Sequence, residues 1–313
     1  MVNDAACVLV TGGSGFIGTW VLRELLARDA RPVVVDLQPA PQRWQRVLGE
    51  RAQDVVWADA SLLDCDRLQR VIDQHAVSHV IHLAALLTPA CQEDPWFGCQ
   101  VNVLGSTSVF EAARRSQRIR SVSYASSYAV YGDEVGQNDS SVNLPPTFYG
   151  AFKQAVDLIA DQYWRHCGLA SVAIRPHVVY GPERDQGLTA GPSLAARAAA
   201  MGERYSIGYT GCVGYDYVED VARAFVRAAF ECTDGATVVD LPSERATTHE
   251  FVRAIETVVP QAAGTIRIDG PEIPTNISPM PRAITSLFPD WRPTSLLDGV
   301  RQTIDFYREG AGC

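Results

Sequence analysis

Up to Gly181, short apolar runs alternate with longer stretches whose apolar residues recur every three to four positions. The runs are Cys7 to Thr11, Pro32 to Val35, Asp54 to Trp57, His79 to Leu83, Ile119 to Ser126 and Ser171 to Arg175. Continuous apolar runs suit strands buried on both faces, and their alternation with helices predicts a parallel sheet covered on both sides. Ser61 to His75 illustrates the helical pattern: Leu62, Leu63, Leu68, Val71 and Ile72 form one stripe, with Ser61 placed to cap the first turn. The stretch that carries Tyr149 and Lys153 reads as a longer helix, with Gly168 as its stop.

Beyond Gly181 the pattern changes. Arg184 to Gly214 is richer in glycine and alanine, Asp220 to Phe230 returns to a helical spacing, and Thr237 to Leu241 reads as a late strand. Prolines 271, 274, 279, 281, 289 and 293 punctuate the remainder before a last helix from Ser295 to Arg308. The expected fold is therefore α/β: a doubly wound, parallel Rossmann-type sheet over residues 1–181, rejoined by 216–241. A small interleaved substrate-binding portion follows over 182–215 and 242–313. In open sheets of this kind the ligand cleft lies at the carboxyl ends of the strands.

The chemistry clusters at those ends. After the first strand, Gly12, Gly13, Ser14, Gly15, Phe16, Ile17 and Gly18 open a helix. Glycines there allow a tight turn and close approach of a pyrophosphate, whose charge the helix N-terminal amides favour. The second strand ends in Asp36, a carboxylate suited to ribose hydroxyls and repelling a 2′-phosphate, so NAD is expected over NADP. Farther on, Lys153 is the only lysine; the other 26 of the 27 Lys+Arg positions are arginine. It follows Tyr149 by four positions, which on a helix puts a phenol and an ammonium on one face. A neighbouring cation favours the phenolate, so the pair reads as a tuned acid/base.

Composition narrows the classes. With 313 residues, 47% of them hydrophobic, the chain can bury a large core. A net charge of −9 without runs of like charge argues against nucleic acid and anionic membranes as partners. No apolar stretch approaches the roughly 20 residues that span a bilayer, and the start carries Asp4 with no basic and apolar leader, so a cytoplasmic protein is expected. Eight scattered cysteines and six histidines show neither metal-ligand nor disulfide spacing, and no metal is expected.

In chain order the sequence carries TGGSGFIG (Thr11 to Gly18), Asp36, Asp59, HLAA (His82 to Ala85), Asn102 in VNVLGS, SSYAVYG (Ser126 to Gly132), Tyr149-x-x-x-Lys153, RPHVVYGP (Arg175 to Pro182) and YVEDV (Tyr217 to Val221). In these it resembles the extended short-chain dehydrogenase/reductases, the NAD-dependent epimerase/dehydratase group, over nearly its whole length. The resemblance implies that Tyr149 exchanges the proton of a substrate hydroxyl. It implies further that Lys153 holds the nicotinamide ribose and lowers the Tyr149 pKa, and that Ser127 orients the substrate oxygen. Gly12, Gly15, Phe16, Ile17, Gly18, Asp36, Asp59, Ala84, Ala85, Asn102 and Pro176, together with Tyr149 and Lys153, would contact NAD. A homodimer is implied as well, pairing two long helices, about Pro95 to Arg115 and Tyr149 to His166, with those of a second copy.

Several positions depart from the family pattern. Dehydratases carry an acidic pair after the Ser/Thr, where this chain has Tyr128 and Ala129, so dehydration is not expected. Enzymes acting on nucleotide sugars usually have an asparagine and an arginine for the diphosphate where Val178 and Val213 stand, donors worth about 1.5–3 kcal/mol each. The leading expectation is accordingly an NAD-dependent oxidoreductase acting on a small polar sugar, sugar acid or hydroxy/keto compound, with Thr88, Ser127, Arg184 and Tyr215 as candidate substrate contacts. The alternatives are an NAD-dependent sugar or nucleotide-sugar epimerase, and a non-catalytic dinucleotide sensor.

Overall fold

The computed structural model describes residues 6–132, 144–273 and 282–310. In chain order its first part runs β1 (Cys7–Thr11), α1 (Phe16–Ala27), β2 (Arg31–Asp36), α2 (Pro41–Leu48), β3 (Val56–Asp59), α3 (Cys65–Gln74), β4 (His79–His82), α4 (Thr88–Glu93), α5 (Pro95–Cys99), α6 (Ser106–Ser116), β5 (Ser121–Ala125), α7 (Phe148–Cys167) and β6 (Ser171–Arg175). Then come β7 (Val178–Tyr180), α8 (Gly191–Met201), β8 (Tyr205–Ile207), β9 (Cys212–Tyr217), α9 (Val218–Glu231), β10 (Ala236–Asp240), β11 (Glu244–Thr247), α10 (Thr248–Val258), β12 (Ile266–Ile268) and α11 (Leu296–Gly310).

Two compact units result. The first comprises Met1–Gly132, Ser141–Arg175 and Ala222–Val239. Its seven-stranded sheet has the order β10-β6-β5-β4-β1-β2-β3, and every pairing from β6 to β3 is parallel. One face of the sheet packs Leu9, Val33, Val35, Val80, Val122 and Tyr124 against Leu68, Val71 and Ile72 of α3, Val109, Phe110 and Ala113 of α6, and Val156 and Ala160 of α7. The alternate positions Val8, Val10, Val34 and Ile81 point to the other face and are equally buried. This is why the strands read as unbroken apolar runs. The direction of strand order reverses between β1 and β4, so the turns that follow these two strands open into one crevice.

The second unit holds Pro176–Val221 and Asp240–Cys313. A three-stranded sheet, β11-β9-β7, and the β12-β8 pair are its strands. Tyr180 packs edge-on against Tyr215 and Phe251, and α10 opens on a capping box between Thr247 and Glu250.

Local chemistry moves some expected boundaries. Asp64, not Ser61, caps α3: its carboxylate accepts from Arg67 N at 2.8 Å, while Leu63 lies outside the helix and 43% exposed. A carboxylate also meets the helix dipole favourably, so it outcompetes a hydroxyl three residues earlier. The third strand starts two residues late because Gly49–Asp54 closes as a 3-10 turn. The helix expected from Pro95 to Arg115 is interrupted by a π-helical turn at Gln100–Gly105.

Candidate active site

The crevice between β1 and β4 is made by the glycine turn. Gly12 has φ +75°, and a Cβ on it would lie 2.7 Å from Ala84 N, so the turns after the two strands touch only because that side chain is missing. A Cβ on Gly18 would strike the Gly12 carbonyl and come within 2.7 Å of Gly13 Cα, which lets α1 start directly behind the turn. Gly15 is the N-cap of α1 with no side-chain cap hydrogen bond, and Phe16 and Ile17 of the first turn are partly exposed. Asp36, at the end of β2, accepts from Ser14 N at 3.0 Å through Oδ2 and from Leu37 N at 2.8 Å through Oδ1. Each oxygen keeps a lone pair for a further donor. Asp59 pairs with Asp36 at the end of β3 and is exposed. A glycine cradle, a helix N-terminus without a side-chain cap and a carboxylate at the next strand end fit the pyrophosphate and adenosine ribose of NAD.

The turn is braced from outside by two residues that no motif or spacing singles out. Trp44 Nε1 donates to Gly13 O at 3.1 Å and Arg43 to Ser14 O at 2.8 Å. Both belong to α2, whose amphipathic pattern carried no hint of a tertiary hydrogen bond.

Beneath the crevice a buried chain of hydrogen bonds fixes a tautomer. Ser106 Oγ donates to Asn102 O at 2.6 Å, so it accepts from His82 Nε2 at 2.8 Å. That leaves His82 Nδ1 to accept from Thr11 Oγ1 at 2.6 Å, and Thr11 in turn accepts from the backbone N–H of Leu83 and Ala84. Burial pushes His82 down to about 3, with the charge of Lys153 acting the same way, so the imidazole is neutral. Asn102 sits in the π turn. Its Oδ1 accepts from Leu86 N at 2.8 Å and its Nδ2 donates to Leu86 O at 2.9 Å and Cys91 Sγ at 3.3 Å. Its amide thus holds the segment after Ala84 and Ala85.

Ser127, Tyr149 and Lys153 come together at the ends of β5 and α7. Ser127 caps the 3-10 turn Tyr128–Val130, accepting from Ala129 N at 3.1 Å, and its hydroxyl meets that of Tyr149. Thr147 caps α7 by accepting from Gly150 N, which sets the helix so that Tyr149 and Lys153 share a face. Lys153 Nζ lies 5.6 Å from the centre of the Tyr149 ring and donates to Ala125 O at 2.7 Å; the residue is 6% exposed. The expected lowering of the phenol by this cation is not what the structure shows. Burial pushes Tyr149 up to about 12, opposed by the Ser127 hydrogen bond, and Lys153 does not figure among the effects. Burial likewise pushes Lys153 down to about 8, against the pull of Asp157 and Cys91. Desolvation outweighs the Ser127 hydrogen bond at Tyr149 and the attraction of Asp157 and Cys91 at Lys153.

Thr88 opens α4 and is partly buried. In the second unit Pro176 follows β6 and is buried. Arg184 is committed to Val179 O and to Thr189 Oγ1, and Tyr215 is 3% exposed within the Tyr180 and Phe251 aromatic cluster. Tyr215 is thus a packing residue. Val178 and Val213 are buried in β7 and β9. Among the described residues no group of three or more His, Cys, Asp or Glu side chains could hold a metal ion, and no helix is long and apolar enough to cross a membrane.

Comparison with known proteins agrees with this geometry. Residues 8–240 match the sequence model of the NAD dependent epimerase/dehydratase family. A UDP-glucose 4-epimerase from Mycolicibacterium smegmatis is 29% identical over 315 aligned residues, covering 96% of this chain and 98% of that protein. UDP-glucuronate 4-epimerase 1 of Arabidopsis thaliana is 32% identical over 185 residues, which are 56% of this chain and 43% of the plant protein. The crystal structure of Thermus thermophilus UDP-glucose 4-epimerase in complex with NAD superposes with a TM-score of 0.76 at 26% identity, over 96% of this chain and 99% of that one.

Proposed function

The chain belongs to the NAD dependent epimerase/dehydratase family, within the extended short-chain dehydrogenase/reductases, and on that footing we propose that it is a sugar epimerase working through Ser127, Tyr149 and Lys153. It is an NAD-dependent enzyme. The observation that carries the reading is the meeting of the Ser127 and Tyr149 hydroxyls beside the buried Lys153 ammonium, at the mouth of a crevice suited to the dinucleotide.

NAD would be held by the glycine turn and Asp36 and, when bound, would supply the hydride acceptor and donor. The chain's own residues manage the proton and the geometry. Tyr149 takes the hydroxyl proton as the carbon–hydrogen bond breaks and gives it back when the carbonyl is reduced. Ser127 holds the same oxygen by hydrogen bond, and Lys153 places a positive charge under the phenol and donors toward the ribose. With the phenol at about 12, holding it as phenolate at pH 7 costs about 7 kcal/mol. The protonated form is therefore the resting one, and Tyr149 would have to release its own proton before taking the substrate's, a loss that the positive charge of a bound oxidised nicotinamide would favour.

The relatives with end-to-end or partial similarity act on UDP-sugars by their names, which favours a nucleotide sugar as substrate. Buried Val178 and Val213 favour a second reading, a dehydrogenase or epimerase of a smaller polar substrate, since neither can donate to a diphosphate. Incubation with UDP-glucose, followed by chromatography of the product and absorbance at 340 nm, decides between them. UDP-galactose without net NADH supports the epimerase; net NADH with any sugar or hydroxy acid supports the dehydrogenase; binding of NADH without turnover of any of these refutes both in favour of a sensor. We also propose a homodimer through the outward faces of α5 and α7, where Phe97 and Leu158 are exposed, Leu158 by 64%.

A further inference from the structure

We infer that the buried Asp157–Arg175 ion pair is a clamp that fixes the Ser127 turn against the helix carrying Tyr149 and Lys153. The inference rests on the Ser–Tyr–Lys reading above and assigns positioning residues to it.

Asp157 follows Lys153 by four positions on α7 and so lies on the same face, one turn deeper. Arg175 ends β6, and both side chains are buried. Arg175 Nη2 and Nε donate to Asp157 Oδ2 at 2.7 and 3.3 Å, and Ser126 Oγ donates to the same oxygen at 2.8 Å. At its other end the guanidinium donates through Nη1 to the Tyr131 hydroxyl at 2.7 Å and lies 5.1 Å from the centre of that ring. Ser126 precedes Ser127 by one residue and Tyr131 follows it by four. The turn that presents the Ser127 hydroxyl is therefore gripped on both sides by one ion pair, and that pair is anchored in α7 itself. Distance between Ser127 and Tyr149 is set through these contacts.

A buried pair of this kind is a poor device for stability alone. Taking two charges out of water costs several kcal/mol, and apolar replacements of similar volume are often neutral or stabilising. Placement gives it a different use, since misplacing reacting groups by about 1 Å costs on the order of a hundredfold in rate. Asp157 also faces Lys153. The charged or titratable groups around that ammonium are Asp157 and the protonated Tyr149 phenol from its own helix, Cys91 from α4 and the neutral His82 from β4; Asp157 and Cys91 hold it up against burial. Loss of the carboxylate would let the ammonium deprotonate at lower pH.

The test uses the full-length holoenzyme with UDP-galactose as turnover probe and NADH fluorescence titration for cofactor affinity. Asp157→Asn should lower kcat by about ten- to a hundredfold, leave NADH affinity within about threefold, and move the alkaline limb of the kcat profile to lower pH. Tyr131→Phe, which removes one hydroxyl and spares the buried charges, should lower kcat several-fold with the alkaline limb in place, and it remains informative if Asp157→Asn does not fold. Unchanged kcat in Tyr131→Phe, or an Asp157→Asn protein that melts earlier while kcat and its pH limb stay at wild-type values, overturns the clamp. Tyr149→Phe measured in parallel separates the two levels: turnover surviving there overturns the Ser–Tyr–Lys reading itself, whereas turnover lost there and intact in the other variants overturns the clamp alone.

Discussion

Replacing Lys153 by methionine should abolish turnover and yet make the protein more stable at neutral pH. Burial pushes the Lys153 ammonium from its ordinary 10.5 down to about 8, although Asp157 and Cys91 pull the other way. Below pH 8 both the native and the unfolded chain carry the proton, but the native state holds it less tightly. At about 1.36 kcal/mol for each tenfold change in proton affinity, that difference costs the fold about 3 kcal/mol. Between pH 8 and 10.5 the unfolded chain binds more protons than the native one, so wild-type stability rises with pH until the cost is gone. Methionine has nearly the same length and no charge; it gives up the hydrogen bond to Ala125 O, worth about 1–2 kcal/mol. The variant should therefore be more stable by about 1–2 kcal/mol at pH 7, and the advantage should reverse by pH 10. Urea unfolding of cofactor-free wild type and Lys153→Met at the two pH values measures this. A stability difference that is the same at both would refute the picture of a charge forced into a desolvated site.

Four further outcomes are expected. Tyr149→Phe should reduce turnover by at least about a thousandfold while NADH affinity, measured by fluorescence, stays within about twofold. Asp36→Ala removes the acceptor held between Ser14 N and Leu37 N and should relax the preference for NAD by at least about tenfold; a wild-type protein that binds NADP more tightly would contradict the assignment. Gly12→Ala meets Ala84 N at 2.7 Å and a φ of +75°, so a loss of about 1–3 kcal/mol in unfolding free energy, with weakened NADH binding, is expected. Light scattering should give a dimer mass for the wild type and a monomer mass for Leu158→Glu; the same mass for both would overturn the proposed α5–α7 interface.

The parallel sheet was legible because strands buried on both faces are mostly apolar at successive positions, and Ser171–Arg175 and Cys7–Thr11 match their expected runs to the residue. Where two groups competed for one task, pattern alone could not decide: Ser61 and Asp64 both precede α3, and only the carboxylate is in register with Arg67 N. The π turn at Asn102 was invisible for a related reason. Its extra residue per turn is compensated by tertiary bonds from Asn102 to Leu86 and Cys91, partners set 11 to 16 positions away that periodicity does not report.

The acid/base pair divides in the same way. That Tyr149 and Lys153 share a face follows from the four-residue spacing, and the single lysine marks where a compact cation is needed. How far each resists its charge does not follow, because desolvation depends on what the rest of the chain lays over the pair. Here Lys153 points at Ala125 O and is enclosed with Cys91 and His82, so burial dominates its attraction to Asp157 and also raises the phenol. Spacing thus specifies which groups meet, and the covering residues decide the direction in which their proton affinities move. Asp157, reached through the same helical spacing one turn later, belongs to both categories: its place on the face is readable from the sequence, while its grip on Ser126 and Arg175 exists only once β5, β6 and α7 have packed.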